Sequence, residues 1–322
     1  MALLWTLVLS VAVLGTAMTI VAYLTWIERK VAARFHNRVG PYYVGWPHGW
    51  LQPLADVLKL IIKEDLRPRR ADALLYELAP VLVVVPALFG FALLPLAPGL
   101  AVVDHPYSLL LFLAVGSLAL LGIFAAGWGS HNAYALLSAL RSVAIAVSYE
   151  IPMILALLVP ALLAGSFRLD DLVQRQTGGA WFIFAPVLGQ VSFVVFLLAM
   201  LAEANKSPLD VVEAESELIA GYNTEYSGVK FALFYAGEYA HTLALCGLAA
   251  TVFFGGYLGP AFLPGPVWLV LKSLALFVLV LWIRWSFLRV RIDQVLRLNW
   301  HVLFPVALAN LLVAAFFALR TR

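Results

Sequence analysis

Residues 1–26 read "MALLWTLVLSVAVLGTAMTIVAYLTW". The run stays apolar for about 25 residues, enough at 1.5 Å of helical rise each to cross the roughly 30 Å hydrocarbon slab of a bilayer. It lacks a basic n-region and outruns the core of a signal peptide, so it predicts a retained first transmembrane helix. Runs of about 20 residues recur near 75–95, 107–127, 133–163, 181–202, 231–257, 266–287 and 300–319. Together they predict an all-α polytopic membrane protein of eight spans, a single membrane domain over residues 1–322. Composition agrees. Of 322 residues 63% are hydrophobic and 12% charged, about half the charged share of a soluble domain, and the mean hydropathy is +0.94.

Orientation follows from the cations. The segments after the first, third, fifth and seventh spans hold fourteen of the 21 Lys and Arg, which puts those loops in the cytoplasm and both termini outside. The single cysteine, Cys246, excludes an internal disulfide or a cysteine-built cluster. The six histidines are scattered without ligand spacing, and neither a P-loop nor a GxGxxG motif occurs. The chain is therefore expected to bind no metal or cofactor of its own, and no nucleic acid.

Two cytoplasmic loops are too rich to be connections. In the 28–74 loop, Leu51, Leu54, Ala55, Leu58, Ile61 and Ile62 recur at helical spacing opposite Asp56, Lys59 and Lys63. This predicts an amphipathic helix within 51–64, too short to span and suited to a membrane surface or a partner. Glu28 ends the first span beside Arg29 and Lys30. It is expected to pair with Arg34 or Arg38, or to form a polar cavity wall. The 203–230 loop gathers Glu203, Asp210, Glu213, Glu215, Glu217 and Glu225 against only Lys206 and Lys230. Ser207, Pro208 and Asp210 suggest a helix start, with Ser207 as N-cap. Asp210, Glu213 and Glu217 would then share one face, where like charges demand solvation, protonation or a cationic partner.

Glu150 and Glu238 fall inside predicted spans. A carboxylate there costs a few kcal/mol even on lenient scales, so each should face a bundle interior or wet cavity. Glu238 shares a helical face with Phe231, Phe234 and His241. Near the C-terminus, Arg284 and Arg291 (i, i+7) and an Asp293–Arg297 pair supply the cations nearest to hand.

At this point "WIERKVAARFHNRVGP", "LQPLADVLKLIIKED", "SYE" at 148–150, "AEANKSPLDVVEAESELIAGYNTEYSGVKFALFYAGEY" and "IRWSFLRVRIDQVLRLNW" together resemble the H-subunit family of respiratory complex I, the membrane component of NADH-quinone oxidoreductase. The resemblance runs from about residue 20 to the C-terminus. It implies a subunit of a quinone-reducing, proton-translocating enzyme, lying where the hydrophilic arm meets the membrane arm. In that family the subunit encloses the quinone's access route and tunnel. Quinone would be substrate here, with NADH, FMN and iron-sulfur clusters held by partner subunits. Partners would be the hydrophilic-arm subunits of the quinone site, small membrane subunits and lipid, in a bacterial plasma membrane. Carried over, Glu28, Arg29 and Arg34 match the tunnel and contact motif, and Asp210, Glu213, Glu215, Glu217 and Glu225 match the acidic loop. Glu150, Glu238 and Arg284 match the intramembrane charge path, and Phe231 and Phe234 offer apolar walls.

The chain departs from that family at "PLDVVE" (208–213), where PFDLPE is usual, at "GPYYVG" (40–45) in place of GPNRVG, and at Ser117, where a glutamate is usual. The related anchor of ion-pumping membrane-bound hydrogenases is the alternative. A stand-alone transporter would more readily show internal repeats. The orientation is open to a direct test. Cysteines introduced near Gly45 and Glu215 should be labelled only from the cytoplasm, and those near Val102 and Arg322 only from outside; labelling of 45 and 215 on opposite sides would contradict the eight-span reading.

Overall fold

The first span continues without interruption as α1 (Ala2–Phe35), because no Pro or Gly-rich turn breaks the run before Asn37. The computed structural model describes residues 2–210 and 220–321. After α1, a turn-rich loop leads to α2 (Gln52–Ile62), the amphipathic helix expected within 51–64, with Pro53 in its first turn. Helix α3 (Ala73–Leu93) starts at Asp72, whose carboxylate accepts from the Leu74 and Leu75 N–H groups at 3.0 and 3.3 Å. That bond satisfies donors every helix start leaves open.

The third predicted span is two helices, α4 (Ser108–Gly116) and α5 (Leu118–Gly129), joined at Ser117. The segment 133–163, with two prolines, forms one helix, α6 (Ala133–Ala164), capped by Asn132 and ended by Gly165 at φ 74°. Helix α7 (Leu169–Gln174) is short, with Leu169, Asp170, Leu172 and Val173 buried. The expected span at 181–202 is α8 (Leu188–Glu203), preceded by a 3-10 turn at Phe182–Phe184 and bent from it by 60°. Pro186 lies in the bend, where it supplies no N–H and biases its neighbour away from helix. Helix α9 (Gly228–Phe253) follows the acidic loop, then α10 (Gly265–Ser286), α11 (Ile292–Leu298), a π segment at Asn299–Leu303 and α12 (Phe304–Thr321).

Six helical segments among the described residues are long and apolar enough to cross a membrane, or seven if the bent pair ending in α8 counts as one span. Helix α9 is not among them. It is long enough at 26 residues, but Lys230, Glu238 and His241 dilute its hydropathy, and it is the helix the others surround. From Tyr239 to Phe253 all but His241 are buried, and α1, α2, α3, α6, α7, α8 and α10 all touch it. A helix wrapped by protein does not need a lipid-facing apolar surface.

Two expectations change here. Residues 207–210 form a turn, so Ser207 is not an N-cap; the Leu209 N–H donates to the Lys206 carbonyl and Val290 N–H to the Pro208 carbonyl. Arg284 and Arg291 do not share a face, because α10 ends at Ser286 and Arg291 caps α11. Asp293 and Arg297 form no ion pair, since both are exposed and water competes for each.

Small residues set the helix spacing. A Cβ on Gly127 of α5 would lie 2.4 Å from Ala139 Cβ of α6, and one on Gly237 of α9 would lie 2.8 Å from Val83 of α3. Without a hydrophobic drive between helices in lipid, such close approach supplies the packing energy. Between the loop before α4 and the loop before α7, the Arg168 guanidinium grips Asp104, its Nε 2.7 Å from Oδ1, and holds that carboxyl below the usual range. Gly127→Ala should destabilise the protein by about 1–3 kcal/mol through overpacking. Gly15→Ala, where nothing lies within 4 Å, should be neutral. Midpoints of thermal unfolding in detergent distinguish the two; equal midpoints would contradict the packing account.

Candidate functional site

The C-terminal part of α1 delivers Glu28 to the flank of α9, and its carboxylate, 7% exposed, has a partner on each oxygen. Arg284 from the last turns of α10 binds Oε1 at 2.6 Å, and the Tyr239 hydroxyl donates to Oε2 at 2.5 Å. Glu28 therefore pairs across the bundle with Arg284 rather than with Arg34 or Arg38. Beside Tyr239, Lys206 projects from the turn after α8. Its ammonium is 4.5 Å from the Tyr239 ring centroid and bonds to Glu238. The result is an alternating run, Arg284, Glu28, Tyr239, Lys206, Glu238. Removing ions from water costs several kcal/mol each unless partners replace the solvent, and here each buried charge has one.

A cavity of about 710 Å³ opens against this run, within the range of small-molecule sites. Its walls are apolar where α1, α2 and α9 meet, with Met18, Val21, Pro53, Leu60, Phe231 and Tyr235, and polar at Glu28 and Tyr239. Arg29 also lines it and bonds to Asp56 at 2.6 Å, tying α1 to α2; Gln52 Nε2 holds the other oxygen of Asp56 at 3.1 Å. Leu54, Leu58, Ile61 and Ile62 of α2 stay exposed, an apolar face suited to lipid or a partner.

The remaining expected site residues disperse. Phe234 does not line the cavity. It is fully buried against Tyr222 and Tyr226, with ring centroids at 5.5 and 4.7 Å. Arg34 borders a separate hollow with Trp26, Lys30 and His48. Glu225 accepts from Asn132 Nδ2 at 2.6 Å and works as a loop anchor beside Tyr76, whose hydroxyl donates to the Glu225 carbonyl. Asp210 lies 3.7 Å from Arg289. Glu150 sits midway along α6 and is half-buried. Glu213, Glu215 and Glu217 lie outside the described residues. No group of three His, Cys, Asp or Glu able to hold a metal occurs among the described residues.

Sequence reasoning passed over Tyr239, Tyr235, Asp56 and Lys206 as site residues. Only Lys206 carried a signal, as one of two cations amid six acids. Lys206→Met should leave Glu238 as an unpaired buried charge and cost about 3–5 kcal/mol, whereas adding Glu238→Gln should recover most of it. The amount of this protein retained in assembled membrane complexes reads this out, and a double variant no better than the single would contradict the pairing.

Comparison with known proteins bears on this geometry. The NADH dehydrogenase family model matches residues 8–315. The H subunit of NADH-quinone oxidoreductase from Dehalococcoides mccartyi (strain CBDB1) is 44% identical over 310 residues, covering 96% of this chain and 86% of the relative. An H subunit of the same enzyme from Geobacter metallireducens is 45% identical over 305 residues, 92% of this chain and 91% of the relative. The one from Geobacillus kaustophilus is 43% identical over 310 residues, 95% and 92% of the two chains. With a match across nearly the whole helical bundle, including the helices that build the cavity, the chain belongs to the NADH dehydrogenase family of membrane proteins.

Proposed function

We propose that this chain is the membrane subunit of a proton-pumping NADH-quinone oxidoreductase that admits quinone and couples its reduction to proton movement. The observation that carries the reading is the joining of an apolar cavity to a buried charge run at Glu28. A quinone has a long apolar tail and a polar head. The tail would follow Met18, Phe231 and Tyr235, while the head would pass Glu28 and Tyr239. The exposed apolar face of α2 supports a lipid-side mouth.

Reduction of a quinone consumes two electrons and two protons. The electrons would come from partner subunits carrying NADH, FMN and iron-sulfur clusters. What this chain contributes is electrostatic. Charge arriving on the quinone near Glu28 and Arg284 changes the field on Glu238, Glu203 and Glu150, and ionisable groups around a low-dielectric cavity set one another's proton affinity. The acids Glu213, Glu215 and Glu217 would extend that field into the cytoplasmic loop, with Asp210 held near Arg289. The names of the relatives support a place as one subunit of a multisubunit oxidoreductase; its partners would be hydrophilic-arm and small membrane subunits in a bacterial plasma membrane.

The test uses the assembled complex in membranes. A photoreactive quinone analogue should crosslink to peptides from residues 18–65 or 228–241, and Ala232→Trp, which fills the cavity wall, should lower quinone reductase turnover at least about tenfold, a loss near 1.4 kcal/mol. Transfer from NADH to an artificial acceptor should persist. Crosslinks confined to α10 and α12, or normal turnover in Ala232→Trp, would overturn the assignment.

A further inference from the structure

A second hollow, of about 360 Å³, lies where the end of α1 meets the loop before α2. Trp26, Lys30 and Arg34 line it from α1 at i, i+4 and i+8, so they stand on one helical face, and His48 and Trp50 close it from the loop. The loop is folded to present those two side chains. Gly45 and Gly49 take φ 78° and 74°, and the Gly49 N–H returns to the Gly45 carbonyl at 3.0 Å. A Cβ on Gly49 would lie 2.5 Å from the Pro41 carbonyl oxygen, so glycine is what lets the turn close. The Trp26 and Trp50 rings then stack, with centroids 4.9 Å apart at 23°, and the Trp26 Nε1–H donates to the His48 carbonyl at 3.3 Å.

The cations of this hollow lack an anion. Among the described residues neither Lys30 nor Arg34 has a carboxylate within 4 Å, and the acids of α1 and α2 are engaged, Glu28 by Arg284 and Asp56 by Arg29. The Lys30 ammonium stands 5.8 Å from the Trp26 ring centroid, and Arg34 is exposed. Like charges one turn apart on a helix repel, a cost that an anion held between them removes. Depth narrows the kind of anion. No charged side chain precedes Glu28, so the apolar run ends at Trp26 and the hollow sits at the membrane–water boundary, the level at which indoles gather. Toward the bilayer the same face of α1 continues through Tyr23, Thr19, Thr16 and Ala12, the last three exposed. The Thr16 and Thr19 hydroxyls donate back to the Ala12 and Gly15 carbonyls at 2.8 Å, which leaves a strip of carbon outward.

We infer that this hollow is a headgroup site for an anionic phospholipid, with Lys30 and Arg34 on the phosphodiester, the stacked indoles beside the glycerol backbone and an acyl chain along the Thr19–Ala12 strip. Arg34 offers a planar fork to two phosphate oxygens and Lys30 a point charge. Basic pockets at the end of a transmembrane helix recognise anionic headgroups in this way. A choline headgroup would add a third cation to the two already there, so the site selects phosphatidylglycerol over phosphatidylcholine. Inorganic phosphate shares the recognised chemistry but leaves the indoles and the strip unused, as does an acidic segment of a partner subunit. A lipid seated here pins the 45–50 loop to α1. The hollow shares no lining residue with the large cavity, so the inference stands whether or not that cavity admits quinone.

The experiment reconstitutes the whole complex in phosphatidylcholine vesicles doped with a photoreactive phosphatidylglycerol or a photoreactive phosphatidylcholine, each carrying its reactive group at the head. Phosphatidylglycerol should label peptides covering residues 23–35 and 45–51 at least about fivefold more than phosphatidylcholine does. Lys30→Gln and Arg34→Gln should each cut that labelling about fivefold, and the double variant about 25-fold. Lys63→Gln removes an exposed cation at the end of α2, outside the hollow, and should leave labelling within about twofold, since solvent and salt screen it. Unlabelled phosphatidylglycerol should displace the label, and inorganic phosphate should not. If a variant fails to assemble, the comparison of the two lipids on the wild type decides the matter. Equal labelling by both lipids, or a loss in Lys63→Gln matching that in Lys30→Gln, would overturn the inference in favour of general surface attraction. Displacement by inorganic phosphate would overturn it in favour of a free anion. An unlabelled hollow, with a zero-length crosslink joining Lys30 to a carboxylate of another subunit, would overturn it in favour of a protein contact.

Discussion

The carboxylate of Glu28, held between the Arg284 guanidinium and the Tyr239 hydroxyl, is the constraint on which the rest of the arrangement depends. An ion at this depth persists only if the protein replaces its water. Replacement here requires three helices, α1, α9 and α10, to meet at one level. Once they do, Tyr239 presents its ring to Lys206, which in turn neutralises Glu238. The cavity is the space left beside this meeting point, between helices held apart by a polar pin at one place and by small residues at others.

Helix α9 shows why such a pin can exist. It is the central helix, and its burial by protein lets it carry Glu238 and His241 at membrane depth, where a lipid-facing helix could not. Its partners approach closely through glycines such as Gly237 against Val83. The same surroundings that tolerate these groups make them responsive, since little solvent stands between them to screen a change in charge. That responsiveness is the property the proposed function calls on.

How much of this was legible depended on the range of each interaction. Apolar run length is local, so most helices fell where the runs did, and the amphipathic α2 appeared nearly to the residue because its period is written in consecutive positions. The breaks at Ser117 and Pro186 were less visible, since a bend depends on what packs behind it. Pairing was the least legible. Helical spacing offered Arg34 and Arg38 to Glu28 and Asp293 to Arg297, yet Glu28 found Arg284 on another helix and the exposed pair did not form. Phe234 shared a face with Phe231 by spacing, but that face is divided between the cavity and an aromatic cluster with Tyr222 and Tyr226. Tyr239 gave no signal, because a tyrosine in a span reads as apolar until its hydroxyl is seen to reach a carboxylate.

The central claim is that the cavity beside Glu28 is occupied by quinone, with the polar head toward the Glu28–Arg284–Tyr239 meeting point. The most direct measurement is a high-resolution structure of the assembled complex with bound quinone. The account requires tail density along Met18, Phe231 and Tyr235 and a head group passing Glu28. Quinone density entering by another face of the bundle, with lipid or side chains filling this cavity, would contradict it.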